Sequence, residues 1–150
     1  YARETPLRGR LYGADHQDAE WGPVVVQFAR AIETLLRDGI GSLPALDRVQ
    51  LRPGPGTSGR WQFAFLSDFS NLLGNAGFHD TVRRARVDAA LLQRTARSLA
   101  TLNKGRNDCA HGPKLVHAQE AGDLRRLVLG GPGGRGLVWD LNDLITKLAS

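Results

Sequence analysis

A chain of 150 residues is long enough for one domain with a buried core, and its 41% hydrophobic and 23% charged residues exclude intrinsic disorder. No apolar run approaches the roughly 20 residues that cross a bilayer, and no signal peptide is visible. We therefore expect no membrane partner. The single cysteine, Cys109, excludes an internal disulfide and fits a reducing cytoplasm, where we expect the protein to be located. Because methionine is absent even at position 1, we expect a segment excised from a longer protein with additional domains or a regulatory partner.

The charge of the chain favours a polyanionic partner such as nucleic acid or acidic lipid. The net charge is +5 and the sequence pI is about 10.1. Arginine supplies most of this charge, and its planar donor fork suits phosphate groups. A GC-rich genome would also enrich arginine, so the overall charge alone does not identify the partner.

The chain is predicted to begin with an arm and to continue into helices. Residues 1–18 show no regular period and are predicted to be an N-terminal arm or linker, followed by a single helical domain over residues 19–150. The first helix is predicted over residues 19–38, where Pro23 moves its start toward Gly22. Its apolar positions recur at intervals of three and four residues, at Val25, Phe28, Ile32, Leu35 and Leu36.

Two different segments lead into the second helix, which is predicted over residues 61–73. Residues 42–51 are compatible with a short helix, whereas two prolines and three glycines make residues 52–60 a loop. The apolar face of the second helix carries Trp61, Phe65, Phe69, Leu72 and Leu73. Because the aromatic residues share this face with leucines, we expect them in the core rather than at a base-stacking surface.

The third and longest helix is predicted over residues 80–102. Its apolar face carries Ala85, Ala89, Leu92, Ala96 and Leu99. On the opposite side, five cations within about 80° of arc form what we call the basic strip, which consists of Arg83, Arg86, Arg94, Arg97 and Lys104. Solvated charged faces usually alternate in sign, whereas acids are nearly absent here. The basic strip is therefore predicted to bind RNA, the alternative being an ordinary solvent-exposed face.

The last third of the chain predicts two more helices. They cover residues 116–129 and about 137–149, and the glycine-rich residues 130–136 between them form a flexible loop. This loop lacks the lysine followed by Ser or Thr that a P-loop requires. Because no segment indicates a strand, the predicted fold is all-α, a four- to five-helix up-and-down bundle.

The stretch NKGRNDCAHG, residues 103–112, combines groups that could act on a phosphodiester. Arg106 and His111 are five residues apart, which is about 140° on an ideal helix. For both to face one site, we expect a helix boundary or a bend between them. Gly105 and the Gly-Pro pair after His111 would allow either, and Asn107 or Asp108 would suit as the cap of a new helix.

The chemistry of this stretch suits RNA cleavage without a metal or other cofactor. A neutral His111, since an ordinary imidazole has a pKa of about 6.5, could take the proton from the ribose 2′-OH. Arg106 could stabilise the charge that builds on the phosphate oxygens, and Asn107 could orient the arginine or the phosphate. A second copy of the chain could supply the missing general acid through an isologous contact.

The sequence R-N-D-C-A-H at residues 106–111 resembles the R-x4–6-H signature of HEPN domains, in which a polar residue, often Asn, follows the arginine. Residues 28–40 resemble the first long helix of that family, with Glu33 at its glutamate position. The resemblance covers about residues 20–130, which leaves the helix at about 137–149 as an addition.

This resemblance implies an all-α, HEPN-like bundle that forms a homodimer through the face bearing the motif. Many HEPN domains are metal-independent endoribonucleases of bacterial defence and toxin–antitoxin systems. The resemblance then implies Arg106, His111 and Asn107 as catalytic residues, supported by Asp108 and Glu33. The expected hydrolase leaves 2′,3′-cyclic phosphate and 5′-hydroxyl ends. Other members have lost catalysis, so a non-catalytic dimerisation, regulatory or RNA-binding module of a larger protein is the alternative.

Three other interpretations of the motif remain open. Asn107 and Asp108 could be ordinary capping residues, with Arg106 paired to an acid at the surface. Cys109 could be a nucleophile beside His111, although residues two apart do not face each other on a helix. A metal could be bound by His111, His117, Asp108 and Glu120, although their spacing matches no common metal motif.

Overall fold

A computed structural model describes residues 20–43, 65–111 and 116–150, and of His111 it describes only the backbone. The predicted arm at residues 1–18 and the loop at residues 52–60 lie outside the described residues. Within the described ranges the chain forms six helices: α1 (Gly22–Gly39), α2 (Leu66–Leu73), α3 (Ala76–Arg84), α4 (Ala89–His111), α5 (Ala118–Leu129) and α6 (Leu137–Ala149). The prediction of an all-α bundle is confirmed.

The helices enclose one main core to which all six contribute. Their buried side chains include Ile32, Leu36, Leu66, Phe69, Leu72, Phe78, Val82, Leu99, Leu102, Val128, Leu137, Leu141, Leu144 and Leu148. Burying each such side chain stabilises the fold by about 1.5–3 kcal/mol before the entropy cost of ordering it. Four of these residues belong to α6, so the helix that the family resemblance leaves out is part of the same core.

The prediction of one helix over residues 80–102 is wrong. The chain leaves α3 at Arg84, and Arg86 adopts a left-handed conformation with φ of 53°. The Asp88 carboxylate then accepts a hydrogen bond from the Ala90 N–H at 3.1 Å, which caps the start of α4. Asp88 therefore marks the new start in the sequence, and the left-handed residue sets the change of direction.

The second helix begins later than its apolar period indicates. Phe65 has extended backbone angles, and its N–H donates to the Asp68 carboxylate at 2.9 Å, so α2 starts at Leu66. Phe69 is buried as predicted, whereas Phe65 is 53% exposed, so its prediction as a core residue is wrong. Trp61, which was predicted to lie on the same face, lies outside the described residues.

A short antiparallel hairpin joins the last two helices, where the sequence predicts only a loop. Gly130–Gly131 pairs with Gly134–Arg135. Gly130 has a φ of 89°, which glycine tolerates best. A Cβ on Gly136 would overlap the backbone of the preceding segment, so the hairpin closes on itself by direct backbone packing.

None of the helices in the described part of the chain is both long enough and apolar enough to cross a membrane.

Candidate functional site

The motif lies on the last two turns of α4. The helix continues through Gly105 to His111, so the predicted boundary or bend between Arg106 and His111 is wrong. Gly105 has a packing role, because a Cβ there would lie 2.8 Å from Leu124 Cδ1 on α5. Asn107 is an exposed position inside the helix rather than a cap. The helix ends at His111, so the two key residues are about 140° apart on one helix.

Arg106 and Glu33 are brought together by the packing of α4 on α1. Their closest atoms, Arg106 Nη1 and Glu33 Oε1, are 3.6 Å apart. The Glu33 side chain is 9% exposed and the Arg106 side chain is 26% exposed. This separation is longer than a hydrogen bond, and Glu33 Oε1 accepts none from the described residues. The contact is therefore a coulombic pair that leaves guanidinium donors available.

Phe65 forms a second contact with Arg106. The guanidinium carbon lies 5.8 Å from the centroid of the Phe65 ring, within the range of cation–π attraction. The arginine therefore lies between a buried carboxylate and an exposed aromatic ring. These contacts restrict its side chain from two sides, while part of the guanidinium remains open to solvent.

The predicted supporting residue Asp108 pairs with a different cation. Its carboxylate lies 2.8 Å from Lys104 Nζ, one turn earlier on the exposed face of α4. This hydrogen bond and the charge of Asp108 raise the pKa of Lys104 above its ordinary value. The Asn107 side chain is exposed and makes no hydrogen bond within the described ranges. Of the two predicted supporting residues, Glu33 is therefore the one that contacts Arg106.

The prediction of a continuous basic strip on one helix is wrong. Arg83 lies on α3 and Arg86 lies in the break, whereas the other three cations lie on α4. Acids also accompany the strip. Arg83 lies 3.2 Å from Asp80, and Arg94 lies 3.3 Å from the buried Asp140 of α6. Within the part of the chain that the structure describes, only two strip residues, Arg86 and Arg97, have no acidic partner.

A second small cluster adjoins the motif at the end of the bundle. It contains Val25, Val116 and Ala121, with Trp21, Cys109 and Leu124 packed against it. The Glu20 carboxylate accepts hydrogen bonds from the Gly22 N–H at 2.5 Å and the Val116 N–H at 3.4 Å. The backbone N–H of Trp21 donates to the backbone carbonyl of Val116 at 3.1 Å. These bonds join the start of α1 to the chain beyond His111.

The environment of Cys109 disfavours the thiolate. Partial burial is the main cause that raises the pKa of this thiol, and the negative charges of Glu20, Asp108 and Glu120 add to it. A cysteine nucleophile needs a lowered pKa or an adjacent base. The structure therefore gives no support to the alternative in which Cys109 acts as a nucleophile.

The metal alternative also finds no support in the described residues. No group of three or more His, Cys, Asp or Glu side chains that could hold a metal ion occurs among them. His117 is exposed at the start of α5 and makes no capping hydrogen bond.

Two residues of this region could not be recognised from local sequence as parts of a site. Phe65 was assigned to the core because it shares a helical period with buried residues. Glu20 carries no distinctive sequence signal, because an acid beside a helix start is common. Only the packing of distant segments brings Phe65 to Arg106 and Glu20 to Val116.

No protein-family model, curated protein or solved structure matches this chain.

Proposed function

We propose that this chain is a metal-independent endoribonuclease domain that cleaves RNA as a homodimer, as its resemblance to HEPN domains implies. The observation that carries the proposal is the placement of Arg106, whose guanidinium is paired with the buried Glu33 and remains partly open to solvent. A defence or toxin-type role in bacteria follows from the resemblance alone.

The pair with Glu33 supports a role of Arg106 as a phosphate clamp. An arginine held by one carboxylate keeps several of its five N–H donors for a ligand. Donors already in position stabilise developing charge without reorganising when the reaction occurs. The exposed part of the guanidinium would bind the non-bridging oxygens of the scissile phosphate.

His111 is assigned the proton transfer from its residue type and its place in the motif. The imidazole takes the proton from the 2′-OH as the 2′-oxygen bonds to phosphorus. The bond from phosphorus to the 5′-oxygen breaks, and that oxygen receives a proton. The products carry a 2′,3′-cyclic phosphate and a 5′-hydroxyl. The imidazole of a second copy would donate the proton to the 5′-oxygen, which is why the proposal includes a homodimer.

The test is cleavage of end-labelled tRNA and mRNA in EDTA. Wild type should leave cyclic phosphate ends, and His111→Ala should lower the rate by about 10²–10⁴-fold through loss of the general base. Arg106→Lys keeps the charge but loses the planar fork, so we expect a smaller decrease. His117→Ala is the matched control, because it removes an exposed imidazole from the same end of the bundle. Equal cleavage by wild type and His111→Ala would contradict the assignment.

A second candidate function is a non-catalytic module for dimerisation or regulation. The observation that favours it is that Arg83, Arg94, Lys104 and Arg106 all have acidic partners, as structural cations do. It predicts a dimer in sedimentation equilibrium that His111→Ala leaves intact, and no RNA cleavage by wild type.

A further inference from the structure

We propose that Phe65 is a stacking site for one unpaired nucleobase, with a preference for purines, and that Arg106 binds the phosphate of the same nucleotide. This inference rests on the proposed function, because it takes RNA as the ligand. It adds a binding residue that lies outside the motif and makes an unpaired base a requirement for binding.

The Phe65 ring is held in an exposed position by its backbone. Its N–H donates to the Asp68 carboxylate, and its carbonyl accepts from the Asp68 N–H at 3.0 Å. These two bonds fix the residue at the N-cap of α2. A ring whose backbone is already fixed loses less conformational freedom when a base stacks on it.

Neither the core nor the helix cap explains a phenylalanine here. More than half of the residue is exposed, and a phenyl ring cannot accept the hydrogen bond that Ser, Thr, Asp or Asn provides at an N-cap. Single exposed apolar residues are common at protein surfaces. The distinguishing feature of Phe65 is the cation beside it.

Phe65 and Arg106 together match two parts of a nucleotide, since the ring suits the base and the guanidinium suits the phosphate. Aromatic rings and guanidinium planes both stack on unpaired bases, and guanidinium groups also bind phosphate. The phosphate of a nucleotide is one sugar away from its base, and the guanidinium carbon is 5.8 Å from the ring centroid. The larger face of a purine covers more of the ring, which is the reason for the expected preference.

The other large exposed apolar side chains in the described residues lack this combination. Trp139 is 54% exposed on α6, almost the same fraction as Phe65, and has no cation over its ring among the described residues. Trp139 therefore serves as the matched control for exposed aromatic surface.

The test measures RNA binding without cleavage, in the His111→Ala background and in EDTA. The probe is a single-stranded RNA hexanucleotide of uracils with one central 2-aminopurine, whose fluorescence is quenched on stacking and whose uracil neighbours stack weakly. We expect Phe65→Leu to weaken binding by at least about fivefold, the lower end of the range for one stacked base, and to abolish the quenching. Phe65→Trp should retain both. Trp139→Leu should change neither, and a hexanucleotide of uracils alone or a duplex should bind more weakly than the probe.

Three results would overturn the inference. They are no RNA binding by the His111→Ala protein itself, unchanged binding and quenching when Phe65→Leu is added, or an equal loss of binding when Trp139→Leu is added. A shift in the monomer–dimer equilibrium with unchanged RNA binding would assign the ring to a protein interface instead. The proposed nuclease is judged separately, by cleavage. If wild type cleaves RNA and Phe65→Leu does not change RNA binding or quenching, only the stacking site is ruled out. If the base stacks on Phe65 but wild type does not cleave RNA, only the nuclease is ruled out.

Discussion

Arg106 has a buried acid on one side and an aromatic ring on the other, so its replacement has consequences for stability as well as for activity. Removing one partner of a fully buried ion pair costs about 3–5 kcal/mol, because the other charge remains buried and unpaired. Arg106 is partly exposed and the pair is 3.6 Å apart, so solvent screening reduces this cost. Cleavage by Arg106 variants must therefore be compared at equal folded fraction.

We predict that Arg106→Gln lowers the free energy of unfolding by about 1–3 kcal/mol. Glu33→Gln removes the buried charge and should cost less. The double variant should be more stable than the sum of the two losses predicts, because it contains no unpaired charge. Urea unfolding of the four proteins in this cycle measures the coupling. Arg97→Gln is the control, because Arg97 is exposed without an acidic partner among the described residues. Strictly additive losses of unfolding free energy would show that the Arg106–Glu33 pair does not contribute to stability.

At the scale of elements, the hairpin between α5 and α6 depends on glycine at particular positions. A Cβ on Gly136 would overlap backbone atoms of Val128, Leu129 and Gly130, whereas a Cβ on Gly133 would meet nothing within 4 Å. Backbone atoms cannot move aside as a side-chain tip can. The direction of α6, and with it four core leucines, therefore depends on Gly136.

We predict that Gly136→Ala lowers the free energy of unfolding by about 1–3 kcal/mol through this overlap. Gly133→Ala in the same hairpin should stay within about 0.5 kcal/mol of wild type. Thermal unfolding followed by circular dichroism measures both. Similar losses in the two variants would mean that flexibility of the hairpin, rather than close packing at Gly136, controls the junction.

At the scale of the whole molecule, the net charge of +5 favours RNA, whereas the ion pairs decide which cations remain available. Arg94 compensates the buried Asp140, so its replacement would affect folding as well as binding. Arg97 is exposed and has no acidic partner within the described ranges. It is therefore the cation of α4 best placed to show whether the basic strip contacts RNA.

We predict that Arg97→Gln reduces the salt dependence of single-stranded RNA binding by about 0.7 in the slope of log K against log salt, the value for one phosphate contact. Arg83→Gln should have a smaller effect, because Asp80 already lies beside that cation. Fluorescence anisotropy over a salt series gives both slopes. Equal slopes for the two variants would show that RNA responds to net charge rather than to the position of Arg97.

Much of the fold could be predicted from local patterns. The apolar periods placed the first helix and the last two within a few residues of their observed bounds, because a stripe at helical spacing must be buried. The period failed where local backbone geometry took precedence. The helical period predicted one continuous helix through the α3–α4 break at Arg86. It also placed Phe65, which lies just before α2, on the buried face of a helix.

The sequence alone determined the all-α class, the basic charge and the Arg–His motif, since these depend on residue types and spacing. The resemblance to HEPN domains also led us to predict Glu33 as a supporting residue, without indicating what Glu33 contacts. Helix packing, by contrast, brings Glu33 and Phe65 together at Arg106. Ion pairs, which the strip pattern did not indicate, place acids beside three of the five cations of the basic strip. The physical reason is distance along the chain. Contacts between residues many positions apart depend on how helices pack, and no local period carries that information.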